Sequence, residues 1–396
     1  ADGTPTNPIT FSSLDSDFDG LGEWGGVVIQ GFAPQYGAGG TGACFNPGEL
    51  WCNVEGEGGT VIGRYGGNVP EDNSGTLRYV RIAEGGLVAG PNNEINGLTL
   101  QGVGYGTTLE YIQVHNNLDD GVEWFGGTAS IRYVVLTGND DDDIDFDEGY
   151  QGNIQYAIIR KSDNAAPVGS NDPRGIEANS SDDEYVPETE AVLANILVLG
   201  GDVNNSAGAQ QPGMRLRGAL TVSIFNTAVQ EWDRGCIRID DADTDGMGTI
   251  VPSVVNLENI LNDCAAGIYD GSSRGPADSA VNVTLTPFTV SGTYAINETE
   301  AQLPGATTIN AVNNGDSFVF DQTDYIGAVD PTAATGWWEG WIIPNSLEST
   351  PPEESPSFVS CNLDAATPNC VVTGTINQDY TFVRGVQWRL SGEVVV

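Results

Sequence analysis

Two short segments of the chain carry aspartates at alternate positions, followed by a glycine. In a calcium loop, oxygen atoms at alternate positions converge on one ion, and the glycine permits the sharp turn between them. Neither segment reaches the bidentate glutamate of an EF-hand, because the twelfth positions are Gly26 and Pro252. Each segment therefore predicts a shorter calcium loop with a structural Ca²⁺ ion, against the alternative of a solvated acidic turn. The predicted ligands are Asp15, Asp17 and Asp19 in the first loop and Asp241, Asp243 and Asp245 in the second.

A third acidic run covers residues 140–147 and again places aspartates at alternate positions, namely Asp143, Asp145 and Asp147. Carboxylates this close together repel one another unless a metal ion or protons neutralise some of them. The run therefore predicts a third calcium site, and protonation is the alternative that the sequence leaves open.

The same carboxylates suggest glycoside hydrolysis as an alternative. Asp119, Asp120 and Glu123 precede the acidic run, and Trp124 offers a ring that could stack on a sugar. The reaction needs one protonated and one ionised carboxyl group across the scissile bond. However, Asp-Asp-Gly is also common in turns, and a repeated coil repeats its turns. We favour the turn interpretation and assign no catalytic residue.

A polysaccharide lyase would need a basic side chain close to a neutralised uronate. Lys161 is the only lysine, and the net charge of -41 opposes a polyanionic substrate. His115 is the only histidine and has no triad partner in the sequence, so we expect a structural role for it. Five arginines could form a column, but we expect them to pair with acids such as Asp233 and Asp240. They are Arg174, Arg215, Arg217, Arg234 and Arg238.

The elements that position these residues are short strands of alternating apolar and polar residues, which recur in a repeated sequence motif. Thr107–Asn116 and Leu118–Gly127 form one copy, and Ser130–Leu136 and Asp142–Gly149 form the next. Each copy has an apolar strand, an Asn/Asp turn, a second short strand and a glycine turn. Such self-similarity predicts an all-β solenoid, in which side chains of successive coils stack in columns. We expect the Leu/Ile and Tyr columns to form the core, and the asparagines near the turns to stack with their amides hydrogen-bonded between coils.

Consecutive coils are separated by one circuit of chain, so their strands should pair in parallel with right-handed winding. We predict a right-handed parallel β-helix of about eight coils, roughly 40 Å long at ~4.8 Å per coil. Residues 1–280 form this β-helix with loop insertions. Residues 281–375 are predicted to be an irregular β-rich region, and residues 376–396 a strand tail.

Composition limits the compartment and the partners. The chain of 396 residues has 14 Lys+Arg and 55 Asp+Glu, a balance that repels nucleic acid and gathers cations such as Ca²⁺. No apolar run is long enough to span a bilayer. The six cysteines fall in neighbouring pairs, which predicts three disulfides in an exported, extracellular or cell-surface protein. The predicted pairs are Cys44 with Cys52, Cys236 with Cys264, and Cys361 with Cys370.

Several segments resemble a family of exported bacterial right-handed parallel β-helix surface proteins, most of which have no assigned function. The resemblance covers most of residues 1–345 and implies a fold and a surface location, but no enzyme activity. The segments are Gly22–Gln30, Asp72–Ile82, Asn93–Gly104, Leu118–Gly127 and Tyr325–Trp341.

The two ends depart from the family pattern. Ala1–Ser13 resembles a segment that follows an opening strand, and Gly385–Val396 resembles that opening strand. Either the chain is trimmed or folds its tail on itself, or its two ends complement each other between molecules. We expect the two ends to complement each other between molecules. The protein would then be a calcium-stabilised, non-catalytic structural subunit of a head-to-tail filament or adhesive fibre. Its partners would be further copies of the chain, with surface glycans left open. The assembly residues would be Ile9, Phe11, Val386, Trp388, Leu390, Val394, Val395 and Val396.

Overall fold

The computed structural model forms two compact units, Ala1–Leu347 and Glu348–Val396, which are described separately. Several predicted residues lie outside the described ranges: Asp15, Asp243, Asp245, Cys44, Cys52, Val386 and Val396. The structure describes residues 1–14, 17–36, 65–88, 94–161, 172–180, 186–201, 203–205, 208–241, 252–305, 307–347, 359–362, 369–375 and 387–395.

The first unit is a right-handed parallel β-helix with two sheets, which confirms the predicted fold. From β1 to β15 the strands alternate between a long-strand sheet and a short-strand sheet, so each coil contributes one strand to each. In spatial order, the nine-stranded sheet contains β1 (Ile9–Phe11), β3 (Thr76–Ala83), β5 (Thr108–His115), β7 (Ile131–Thr137), β9 (Gln151–Arg160), β11 (Glu190–Leu199), β13 (Thr221–Gln230), β15 (Val254–Asp263) and β16 (Ser279–Leu285). The seven-stranded sheet contains β2 (Val27–Gln30), β4 (Leu98–Gln101), β6 (Val122–Phe125), β8 (Ile144–Asp147), β10 (Ile176–Ala178), β12 (Met214–Leu216) and β14 (Ile237–Ile239).

Apolar side chains fill the interior of the coil in columns. Leu77 of β3 pairs in register with Leu109, which pairs with Ile131 and then with Ile154. The same column continues through β11, β13 and β15, and its members are buried. Each fully buried aliphatic side chain contributes about 1.5–3 kcal/mol to folding. Stacking of like residues therefore stabilises the solenoid coil by coil.

One residue in each of eight long strands has a positive φ. It is tyrosine in four coils and asparagine in the next four: Tyr79, Tyr111, Tyr133, Tyr156, Asn195, Asn226, Asn259 and Asn282, with φ between 47° and 63°. A residue in the left-handed conformation interrupts the alternation of inward and outward side chains along the strand. Leu77 and Val80 therefore both face the interior, although they are three positions apart. Asparagine tolerates this conformation better than most residues.

The tyrosines stack on the outside of the coil and not in its core. Ring centroids of Tyr79, Tyr111, Tyr133 and Tyr156 are separated by 4.3, 4.4 and 4.9 Å in succession. The prediction that placed this column in the central core was wrong, because the left-handed backbone turns these side chains outward. The rings instead border a second hydrophobic cluster with indoles such as Trp341.

The asparagines continue the same line and hydrogen-bond between coils, although they lie within the long strands and not near the turns, where such bonds were expected. Asn259 Nδ2 donates to Asn226 Oδ1 at 3.0 Å, and Asn282 Nδ2 donates to Asn259 Oδ1 at 3.0 Å. Thr323 receives further bonds from Asn195 and Asn226. The ladder therefore joins successive coils to the segment that crosses them.

Replacing Asn226 with alanine should lower the free energy of unfolding by about 2–3 kcal/mol. The substitution removes the ladder bonds and places a Cβ-bearing residue without a compensating side chain in the left-handed region. Asn226→Gly removes the same bonds but tolerates the backbone, so its loss should be about 1 kcal/mol smaller. Urea unfolding of both variants measures the difference. An alanine variant as stable as the glycine variant would show that the backbone conformation carries no cost.

Residues 286–347 cover the outer face of the long-strand sheet. Val135, Ile158 and Leu197 on that face pack against Ile296 and Trp341 from the covering segment. The compact unit thus extends to Leu347, and the long-strand sheet to Leu285, whereas the sequence placed the end of the β-helix at 280. Among the described residues, no helix is long and apolar enough to cross a membrane.

The second unit contains one three-stranded sheet in the order β17 (Val359–Asn362), β18 (Asn369–Thr375) and β19 (Gln387–Val395). Cys361 and Cys370 lie directly opposite each other in the antiparallel pair of β17 and β18. In the first unit, Cys236 and Cys264 form a disulfide with a Cα–Cα distance of 5.6 Å, as predicted. Strand β19 pairs with β18 and lies at the edge of its sheet.

Candidate functional site

Charged side chains occupy one column on the outer face of the short-strand sheet. The parallel register aligns Glu123 of β6 with Asp145 of β8, Asp145 with Glu177 of β10, and Glu177 with Arg215 of β12. Their apolar neighbours, such as Val122 and Ile144, face the core because side chains alternate along a strand. Adjacent members of the column are therefore one strand spacing apart, about 4.8 Å.

This column forms the floor of a cleft of ≈ 360 Å³, and every described residue that lines it is charged. Nine carboxyl groups and three guanidinium groups line it. The turns before β6, β8 and β10 supply its rim. The lining residues are Glu94, Asp119, Asp120, Glu123, Asp141, Asp142, Asp145, Asp172, Arg174, Glu177, Arg215 and Arg217.

On the basic side of the cleft, Glu177 binds the arginines. It is 5% exposed and forms ion pairs with Arg174 and Arg217, while an oxygen lies 3.7 Å from Arg215. Burial alone would raise the pKa of Glu177, but the arginines outweigh burial and lower the pKa to about 2. Arg174 also pairs with Asp172, and Arg215 with Asp240 at 3.0 Å. These arginines are therefore engaged by carboxylates.

On the acidic side, carboxyl groups crowd together with few donors. Burial raises the pKa of Asp120, Asp142 and Asp145 well above the usual range, and neighbouring carboxylates raise it further, although Arg174 opposes the rise at Asp142 and Arg217 opposes it at Asp145. Burial also raises the pKa of Asp141, to about 7, although a backbone hydrogen bond from Asp172 and nearby cations oppose it. These groups need protons or a bound cation to stay buried at neutral pH.

Two overlapping groups of three carboxylates on this side could hold a cation. Asp120, Glu123 and Asp145 each place an oxygen within 4.8 Å of the others, and so do Asp119, Asp120 and Asp141. All ligand atoms are carboxylate oxygens, which suit hard cations such as Ca²⁺. Asp120 Oδ1 also accepts a hydrogen bond of 2.8 Å from the Asp142 backbone, which fixes its orientation.

The three aspartates predicted to share a calcium ion in the acidic run are separated. Asp143 is fully buried, with Oδ2 lying 3.1 Å from Lys161 Nζ and Oδ1 accepting a 2.8 Å bond from Asn139. Asp145 faces the cleft. Among the described residues, no carboxylate group of the required spacing joins Asp143, Asp145 and Asp147.

The first aspartate loop gains a ligand that the sequence did not indicate. Asp17 and Asp19 lie with Glu84 of the next coil in a group of three oxygens within 4.8 Å. Glu84 is fully buried and accepts a hydrogen bond of 3.0 Å from Ser13. In the second loop, Asp241 is the described member, and its Oδ1 lies 2.9 Å from Arg274 Nε.

Other residues considered in the sequence analysis are buried in the fold or paired with neighbouring side chains. Trp124 is 1% exposed within the core, so the suggestion that it stacks on a sugar was wrong. His115 Nδ1 lies 2.7 Å from Thr137 Oγ1, and burial lowers its pKa to about 4, which fits the structural role expected. Arg238 pairs with Asp240 and Arg234 pairs with Asp270, so both arginines pair with acids as expected.

A family model described as a pectate-lyase-like β-helix domain matches residues 1–342. The chain belongs to this family. The match spans the β-helix and nearly all of the segment that covers its long-strand sheet, in agreement with the extent of the first unit. No curated protein and no solved structure matches the chain. Membership in the pectate-lyase-like β-helix family thus supports the architecture, and chemistry must be argued from the residues.

The cleft of this family member includes residues that the sequence analysis left unassigned. Glu177 occupies the same strand position as Glu123, directly after the Gly-Ile pair that opens β10. Aligning the second strands of successive coils would have placed it beside Asp145. Arg174, which was expected only to pair with acids, precedes Gly175 and also lines the cleft.

Proposed function

We propose that the protein is a non-catalytic structural subunit of an extracellular filament whose molecules join end to end. The observation that carries this proposal is the position of the exposed apolar side chains. At one end of the solenoid, Phe11 of β1 and Val28 of β2 are 37% and 38% exposed. At the other end, Val281 and Leu285 of β16 are 46% and 54% exposed. Exposed apolar side chains on the outermost strands at both ends favour burial between molecules.

Strand edges at the same ends support the proposal. Strands β1 and β16 are the outermost strands of the long sheet, and β2 is the outermost short strand beside β1. No described strand pairs with their outer edges. Unpaired backbone groups on such edges accept an added strand from another chain. Contact between two different ends is heterologous, and it generates an open filament when the rotation between molecules does not close a ring.

The tail supplies a strand for this contact. Strand β19 lies at the edge of its sheet, and no described strand pairs with its second edge. In the proposed filament, β19 of one molecule adds to the β1 edge of the next. The assembly residues are those expected from the sequence: Ile9 and Phe11 on one molecule, and the segment Val386–Val396 on the other.

Calcium is the proposed structural cofactor. The net charge of -41 opposes the approach of identical molecules. The group of Asp17, Asp19 and Glu84 follows β1 at the end where the contact would form. A Ca²⁺ ion bound there would lower the repulsion and fix the loop. Surface glycans remain a further proposed partner class.

Electron microscopy of the full-length chain in calcium tests the proposal. The expected result is filaments for the full-length chain and single particles for a chain that ends at Arg384, because the latter lacks β19. Addition of a chelator should shorten or dissolve the filaments. Filaments that persist without the tail, or a full-length chain that stays monomeric in calcium, would contradict the proposal.

The cleft supports a second candidate, a polysaccharide-active enzyme. Its carboxyl groups have pKa values shifted in opposite directions, with Glu177 at about 2 and Asp141 at about 7, as an acid–base pair requires. Two features weigh against it. Within each group of three carboxylates on the acidic side, the oxygens lie within 4.8 Å of one another, closer than the roughly 5–9.5 Å between glycosidase carboxyls. Lys161, the only lysine, is 3% exposed and bound to three oxygens. A glycan screen for new reducing ends or unsaturated uronates tests this candidate.

A further inference from the structure

The acidic side of the cleft contains carboxylate oxygens that no described group satisfies. Asp142 is 3% exposed, and its Oδ1 is buried without a hydrogen-bond donor among the described residues. Asp145 Oδ1 is also buried without a hydrogen-bond donor among the described residues. Both residues line the cleft. A buried carboxylate oxygen needs a hydrogen-bond donor, a proton or a cation.

The protein's own cations do not meet this need. The Arg174 guanidinium lies against Glu177 and Asp172, and its nearest approach to Asp142 is 3.5 Å. Arg217 binds Glu177. Arg215 pairs with Asp240 at 3.0 Å. Lys161 is bound to Asp143, which is not among the described residues that line the cleft.

The geometry of the remaining groups fits a single ion. Asp120, Glu123 and Asp145 converge within 4.8 Å, as oxygens around one cation must. Two of the three are held in place from behind. Asn96 donates to Glu123 Oε2, and the Asp142 backbone donates to Asp120 Oδ1. These donors orient the carboxylates toward a common point.

We propose that Asp120, Glu123 and Asp145 form a site for a divalent cation of the calcium class in the cleft, with Asp142 beside it. The site lies on the short-strand sheet, separate from the aspartate loops, and does not depend on filament formation. Carboxylate ligands alone favour Ca²⁺ over metals that prefer nitrogen or sulfur.

Calorimetric titration of the chelator-treated full-length chain with CaCl₂ tests the site. Asp145→Asn keeps the shape of the side chain and removes one ligand charge. We expect this variant to lose one calcium-binding event, or to bind there roughly tenfold or more weakly. Asp147→Asn lies two positions along the same strand and outside the group, so it should retain wild-type binding.

Thermal unfolding with and without calcium shows whether Asp145 binds the ion or only contributes to the stability of the fold. Without calcium, Asp145→Asn should be at least as stable as the wild type, because it relieves repulsion among buried carboxylates. With calcium, the wild type should gain more in melting temperature than the variant does. Equal calcium binding by wild type and Asp145→Asn, or a wild-type chain that binds no calcium at millimolar concentration, would overturn the proposal.

Discussion

Replacing Lys161 with methionine is expected to lower the free energy of unfolding by about 3–5 kcal/mol. Side chains of Lys161 and Asp143 are 1% and 0% exposed, and Nζ lies 3.1 Å from Oδ2. The same ammonium donates to the carbonyl oxygens of Asn139 and Asp141. Methionine fills similar space but leaves Asp143 buried without its positive partner. The uncompensated carboxylate, and not lost packing, causes the expected loss.

A double variant identifies this cause. Asp143→Asn combined with Lys161→Met removes both charges, and the amide oxygen that replaces Oδ1 can still accept the bond donated by Asn139. We expect the double variant to recover more than half of the stability lost in the single variant. Urea unfolding in the presence of chelator gives both values.

The neighbouring residue supplies a matched control. Arg160 pairs with Glu231 at 3.0 Å, but the Glu231 side chain is 47% exposed to solvent. Arg160→Met should therefore cost less than about 1 kcal/mol. If Lys161→Met costs no more than this control, the buried pair contributes little. If the double variant is as unstable as the single one, lost packing is the cause.

The repeat was predictable because its signals are local. Glycines before Leu98, Val122 and Ile176 mark the start of short strands, and the structure begins β4, β6 and β10 at those residues. Side chains stack in columns because they alternate between the two faces of each strand, and because each coil of the β-helix brings the chain back to the same position. The left-handed residue at Tyr79 is visible in the sequence only as a shift in the apolar spacing, so the direction of the tyrosine side chains was not predictable.

The cleft was only partly predictable, because it depends on register between coils of unequal length. Asp120 and Glu123 were recognised as near the acidic run, since one short circuit separates them. Glu177 lies 32 residues after its register partner Asp145, with an insertion between them. Likewise, Glu84 joins Asp17 and Asp19 from a different coil. Sequence spacing within a loop identifies candidate ligands, but long-range register decides which carboxylates meet.

Placing a charge at the open end of the solenoid should abolish filament formation if the ends form the contact. Phe11→Asp and Val28→Asp each introduce a carboxylate on an outermost strand that the proposed interface would bury. An unpaired buried charge costs about 3–5 kcal/mol, which is roughly a hundredfold or more in the association constant. Both side chains are already more than one-third exposed in the single molecule, so its melting temperature should change little.

Val319→Asp is the matched control for charge and chemistry. Val319 is 72% exposed and belongs to the segment that covers the long-strand sheet, not to an outermost strand. Sedimentation and electron microscopy in calcium should find filaments for this variant and single particles for the two end variants. If Val319→Asp disrupts filaments equally, added charge alone is responsible. If filaments survive Phe11→Asp and Val28→Asp, the contact involves another surface, and the β1 edge does not receive the tail strand.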